Sequence, residues 1–168
     1  MFQCGDLIVY GNNGVCVVER VTTLEGSPNK EQLYYVLKNK SSNGTAYVPV
    51  NSPVHMRHIM TKEQALALID KIPFVETKQF AGVATRQAQK VYRDALLSYD
   101  SETVVGVIKH LRATGEKKHS LGKKLSSTEE RYLEQAQRII DSELCAAMEM
   151  TVEQLRGFIS KRIGDGKI

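Results

Sequence analysis

The chain has 168 residues, 42% hydrophobic and 25% charged, and its 23 Lys+Arg against 19 Asp+Glu leave a net charge of +4. That length suits one domain or two small ones, and the apolar content separates it from charge-rich, apolar-poor disordered chains. Its apolar runs fall far short of the roughly 20 residues that cross a bilayer, and residues 1–6 lack a basic stretch and an apolar core, so we expect a cytoplasmic protein with no membrane partner.

From Asp6 to Met60 short β-rich segments alternate with turn residues at intervals of about ten, the spacing of a small barrel or sandwich. The expected strands are Asp6–Tyr10, Val15–Thr22, Gln32–Lys38, Thr45–Val50 and Val54–Met60. Gly, Pro or Asn stands in every connector and pre-sets its turn, with Gly11 to Gly14 as a hairpin turn. Five such strands have the scale of an SH3-like or Tudor-like barrel, too small for a buried catalytic cavity.

At Thr61 the apolar period changes from two to 3.6, which puts the domain boundary there. Thr61 and Gln64 form a capping box before the stripe Ala65, Leu68, Ile69 and Ile72, which ends at Pro73. The stretch from Pro73 to Thr85 lacks a clear period and turns the chain. A second helix carries Ala88, Val91, Tyr92, Ala95 and Tyr99. Asp100 caps a third, with Val104, Val107, Ile108 and Leu111 buried and Gly115 as its stop. Ser126 or Ser127 with Glu129-Glu130 opens a long fourth helix whose inner face is Leu133, Ala136, Ile140, Leu144 and Ala147. Thr151 with Gln154 opens a fifth, with Val152, Leu155, Ile159 and Ile163 running to Gly164 and a frayed tail over 164–168. The fold class is therefore α+β: a five-stranded barrel over 1–60 and about five helices over 61–168.

Catalytic chemistry finds little support. Cys4, Cys16 and Cys145 are an odd, widely spaced set read as reduced thiols, the last two as buried structural ones. His55 and His58, at i and i+3 of a strand, point to opposite faces and read as rim histidines, not metal ligands. No phosphate-cradle, dinucleotide, nucleophile-elbow or HExxH motif occurs, so we expect no enzyme activity, no cofactor and no small-molecule substrate.

Charge placement says more. Residues 61–168 hold 18 basic and 15 acidic side chains, against five and four in residues 1–60. Arg86, Lys90 and Arg93 recur at i, i+4 and i+7 on one helix face. From Lys109 to Lys124, Lys109, Arg112, Lys117, Lys118, Lys123 and Lys124 face only Glu116, in a stretch read partly as a Gly/Ser-containing loop. Either cluster alone fits a solvated surface; the two together point to nucleic-acid backbone binding without base readout. In the barrel, Thr45-Ala46-Tyr47-Val48-Pro49 ends in a proline suited to a sheet edge. That edge is open to strand addition by a partner, with Tyr47 as selector, or is merely protected against aggregation by the proline.

Phe2-Gln3-Cys4-Gly5-Asp6-Leu7-Ile8-Val9-Tyr10, then Gly14-Val15, Tyr34-Tyr35-Val36-Leu37-Lys38 and Val48-Pro49-Val50, resembles the N-terminal RNA polymerase-interaction domain of the CarD family, shared with transcription-repair coupling factor. Leu96-Leu97-Ser98-Tyr99-Asp100, the helix over 104–111, and Leu125-Ser126-Ser127-Thr128-Glu129 leading to Glu143-Leu144 are similar to the helical domain of stand-alone members, so the likeness spans about residues 1–150. It implies a Tudor-like domain docking on the polymerase β subunit through Leu24, Thr45, Ala46, Tyr47 and Pro49. It also implies a helical domain touching promoter DNA; with the basic clusters above, the candidate contacts, largely without sequence preference, are Thr85, Arg86, Lys90, Arg93, Lys117, Lys118, Lys123, Lys124 and Arg131.

The chain departs from that pattern in three places. It has no Trp, and Thr85 stands where many members carry a tryptophan wedge, with Phe80 as a nearby apolar substitute. Tyr47 replaces a basic residue before Val-Pro. Glu130 followed by Arg131 stands where a basic DNA contact is familiar. The function expected is a non-enzymatic transcription regulator that modulates open-complex stability by binding the unwound state more tightly. The alternative is an adaptor that binds polymerase without functional DNA contact.

Overall fold

The computed structural model describes residues 1–26, 29–42, 44–83 and 85–165, with the side chains of Asn12, Thr85 and Arg86 outside that description. Two compact units divide the chain, Met1–Met60 and Thr61–Ile168. Among the described residues no helix is long and apolar enough to cross a membrane.

The first unit is a five-stranded antiparallel sheet of β1 (Leu7–Tyr10), β2 (Val15–Thr23), β3 (Leu33–Asn39), β4 (Thr45–Pro49) and β5 (Met56–His58), in the order β4-β3-β2-β1-β5. Alternation along the strands turns Ile8, Cys16, Val18, Tyr35, Leu37 and Val48 into one core, with Phe2, Ala46, Val50 and Met56 packed around it. Between β1 and β2 the chain turns through a 3-10 segment, Gly11–Asn13, and leaves it at Gly14, whose φ of 76° and ψ of −152° only glycine adopts readily. The Gly5-Asp6 pair has a local use: the Asp6 carboxylate accepts from the Gln3 backbone N–H at 2.8 Å while the Asp6 carbonyl accepts from Val18. This folds residues 1–5 back so that the Phe2 ring packs on Tyr35 and His58. β5 is shorter than the expected Val54–Met60, since Ser52 and Pro53 lie in a turn in which the Ser52 N–H donates to Pro49 and the Val54 N–H to the Ser52 hydroxyl.

The second unit holds α1 (Lys62–Lys71), α2 (Thr85–Leu97), α3 (Ser101–Ser120), α4 (Ser127–Met148) and α5 (Val152–Ile163). Thr61/Gln64, Ser126/Glu129 and Thr151/Gln154 are complete capping boxes, and Asp100 caps α3 through the Thr103 N–H. Their core is Ala65, Leu68, Ile69 and Ile72 with Val104, Val107, Ile108, Leu111, Ala136, Ile140, Leu144, Leu155 and Ile159. Each fully buried Leu or Ile contributes about 1.5–3 kcal/mol.

Three expectations are corrected here. Gly115 does not stop α3, which continues to Ser120. The stop is Gly122, with φ of 68°, where Gly122 N–H donates to His119 and Lys123 N–H to Lys118 in a Schellman arrangement. Tyr99 lies outside α2, because its φ of 57° is left-handed and ends the helix. On α4 the fully buried face is Tyr132, Ala136, Ile140, Glu143, Leu144 and Met148, so Leu133 and Ala147 sit at its margin. The part of the expected frayed tail at 166–168 lies outside the described residues.

Candidate functional site

In the sheet unit the register defines what β4 offers. Its partners on β3 run Tyr34↔Pro49, Tyr35↔Val48, Val36↔Tyr47, Leu37↔Ala46 and Lys38↔Thr45. In the same register Val50 N–H donates to Leu33 and Asn39 N–H to Gly44. Hydrogen-bonded pairs alternate along an antiparallel ladder, so Ala46 and Val48 turn their N–H and C=O toward β3. Thr45, Tyr47 and Pro49 turn theirs to the open edge. Pro49 is tolerated because the donor it lacks would point away from the sheet. Tyr47 is 52% exposed and Thr45 exposed, while Ala46 and Pro49 are half-buried. Leu24 lies half-buried just past the end of β2, which β3 separates from β4 in the sheet.

In the helical unit the cations fall into exposed and engaged groups. Lys90, Lys117, Lys123 and Lys124 are exposed. Arg93 is exposed and lies 3.7 Å from Asp94. Thr85 and Arg86 open α2, and their side chains lie outside the described residues. Lys117 and Lys118 belong to the last turn of α3, not to a loop. Lys118 donates to Glu129 at 2.6 Å, in a half-buried pair that also joins the α4 capping box. Burial pushes the Glu129 carboxyl up, but the hydrogen bonds from Lys118 and Ser126 outweigh it and hold the group below the ordinary carboxylate range.

One turn along α4, Tyr132 packs on Tyr92 of α2 at 5.6 Å between centroids, and the exposed Arg131 guanidinium lies 5.3 Å from the Tyr132 ring. Lys118 and Arg131 are thereby drawn to the first turns of α4, beside α2.

Two residues of the sequence argument have other tasks. Phe80 is 3% exposed and packed with Tyr92 and His110, so it is a core ring and unavailable as a wedge. Lys109 donates to three backbone carbonyls and belongs to the architecture. Sequence reasoning also missed Glu143, a carboxylate only 2% exposed on the inner face of α4; its position among Ile140, Leu144 and Met148 was the available clue.

Burial raises the Cys16 and Cys145 thiols, which keeps both protonated and poorly nucleophilic. Cys4 is exposed and Cys145 half-buried. Among the described residues no group of three His, Cys, Asp or Glu side chains could hold a metal ion.

Residues 2–60 match the family described as the CarD-like/TRCF RID domain. The first unit is a CarD-like domain. Over 159 residues, 94% of this chain and 99% of the relative, the chain is 26% identical to a Bacillus subtilis (strain 168) protein named "Putative transcription factor YdeB". The matched segment coincides with the sheet unit and holds the β4 edge, and the likeness to the Bacillus protein runs on through the helices.

Proposed function

We propose that the protein is a non-enzymatic transcription regulator whose sheet unit, Tudor-like in kind, docks on the β subunit of RNA polymerase by strand addition to β4. The helical unit then contacts promoter DNA through phosphates, using Lys90, Arg93, Lys117, Lys123, Lys124 and Arg131, with Thr85 and Arg86 at the start of α2. The observation that carries the reading is the open edge: the backbone groups of Thr45 and Tyr47 and an exposed Tyr47 ring face outward on a strand that, among the described residues, pairs on one side only. The match to the RID family and the likeness to a protein named as a transcription factor support it. Binding the unwound promoter more tightly than the closed one shifts that equilibrium; equal binding shifts nothing.

A pull-down of the isolated polymerase β subunit with the full chain tests the docking. We expect capture that Tyr47→Glu weakens; a folded protein that captures no β subunit refutes it. Open-complex lifetime on a promoter, with and without the protein, tests the second half.

A second reading, an adaptor without functional DNA contact, draws on the ion pairs Lys118–Glu129, Arg93–Asp94 and Lys78–Glu76, which neutralise part of the positive surface. Polymerase capture with no change in open-complex lifetime would favour it.

A further inference from the structure

Leu121 is 64% exposed at the C-terminal cap of α3. Lys117 and Lys118 precede it, and Gly122, Lys123 and Lys124 follow. An apolar side chain held in water among lysines gains nothing from the protein's own core. The turn that carries it is preformed. Leu121 N–H donates to Lys118 at 3.0 Å, Gly122 N–H to His119 at 2.9 Å, Lys123 N–H to Lys118 at 2.8 Å, and the Ser120 hydroxyl to Lys117 at 2.8 Å. Leu125 lies against α3 at Gly115, 3.5 Å from where a Cβ would stand, so the chain beyond Gly122 is anchored as well.

We propose that Leu121 is the apolar tip that this basic turn presses into a DNA groove, an inference that rests on the DNA-contacting reading above. Lys117, Lys123 and Lys124 bring phosphates to the turn, and the leucine meets base edges and sugars between them. Because the backbone of the turn is already hydrogen-bonded, the contact forms with little backbone ordering left to pay. Phe74, at 82% the most exposed apolar residue among those described in this unit, does not compete for the role: it lines a cleft in which the carboxylates of Glu76, Asp100 and Glu102 outnumber the one lining cation, Lys71, which is paired with Glu102, and that excess disfavours phosphate. An anionic membrane is a poorer occupant, since interfacial insertion needs an apolar face of several large residues and this turn exposes one.

The test is fluorescence anisotropy of the full chain on a labelled A·T-rich duplex across a salt series, with Leu121→Ala and Lys124→Ala. Leu121→Ala removes an uncharged contact, so affinity should fall about tenfold at every salt concentration with the salt slope unchanged. Lys124→Ala should flatten the log–log slope by about 0.9. Thermal unfolding of Leu121→Ala should match the parent, because the side chain is exposed. If Lys124→Ala flattens the slope while Leu121→Ala binds as tightly as the parent, the leucine inference falls and the DNA reading stands. If the parent chain fails to bind the duplex even at low salt, the DNA reading itself falls. Loss of binding to phosphatidylserine vesicles in Leu121→Ala, with duplex binding intact, would also overturn the inference.

Discussion

Lys109 donates from Nζ to the carbonyl oxygen of Ile72 at 2.8 Å, and the same ammonium reaches the carbonyls of Pro73 at 3.0 Å and Val75 at 2.8 Å. These carbonyls belong to the turn after α1, where the helix ends and the Ile72 carbonyl also accepts from the Val75 N–H. A cation at that end also meets the negative pole of the helix dipole. Lys109→Met keeps the apolar stem and deletes the ammonium, so it should destabilise the protein by about 2–4 kcal/mol. Urea unfolding checks this; a variant as stable as the parent would show that water replaces the ammonium at no cost.

The two glycines near the end of α3 should respond in opposite directions. Gly115 is inside the helix, and a Cβ there meets Leu125 at 3.5 Å, ordinary packing contact. Gly115→Ala should therefore stabilise by about 0.5–1 kcal/mol, the difference in helix propensity. Gly122 has φ of 68°, so Gly122→Ala should destabilise by about 1–2 kcal/mol. Differential scanning calorimetry of the pair decides whether the helix ends where the Schellman bonds place it.

His110 gives the fold a pH dependence. Burial, against Phe80 and Tyr92, holds the imidazole below the ordinary histidine range, and the nearby Glu129 carboxylate opposes that only in part. The unfolded chain then takes up the proton first, so the stability this group contributes is present above the ordinary value of about 6.5 and is lost as pH falls below it. His110→Phe should flatten the dependence of unfolding free energy on pH through that window. An unchanged slope in the variant would assign the dependence to other groups.

The elements legible in the sequence were those written in local chemistry. Thr61/Gln64, Ser126/Glu129 and Thr151/Gln154 announce helix starts because a capping box is closed within four residues. Gly115 misled because a glycine inside a helix and one beyond its end look alike until packing separates them, and here Leu125 packs at ordinary contact distance from the Gly115 position within the helix. The candidate site was legible as charge but not as availability. Lys109 and Lys118 carry the same charge as Lys123, yet one closes carbonyls and the other pairs with Glu129, partners set by how α3 packs on its neighbours. Phe80 is apolar enough for a wedge in sequence, and only the rings of Tyr92 and His110 around it show that it is core.

The β4 edge yields a prediction in which one substitution type has two outcomes. The N–H of Tyr47 faces the open side, so Tyr47→Pro removes a donor that the sheet itself does not use. The N–H of Ala46 faces β3, so Ala46→Pro removes a bond of the ladder. Tyr47→Pro should keep the β-sheet circular dichroism and a cooperative melt while capture of the polymerase β subunit falls, because a strand added at this edge would lose the central main-chain donor. Ala46→Pro should lower the melting temperature of the sheet unit and reduce capture only through loss of fold. If Tyr47→Pro captures the β subunit as well as the parent does, strand addition at β4 is excluded, and any docking must use side chains alone.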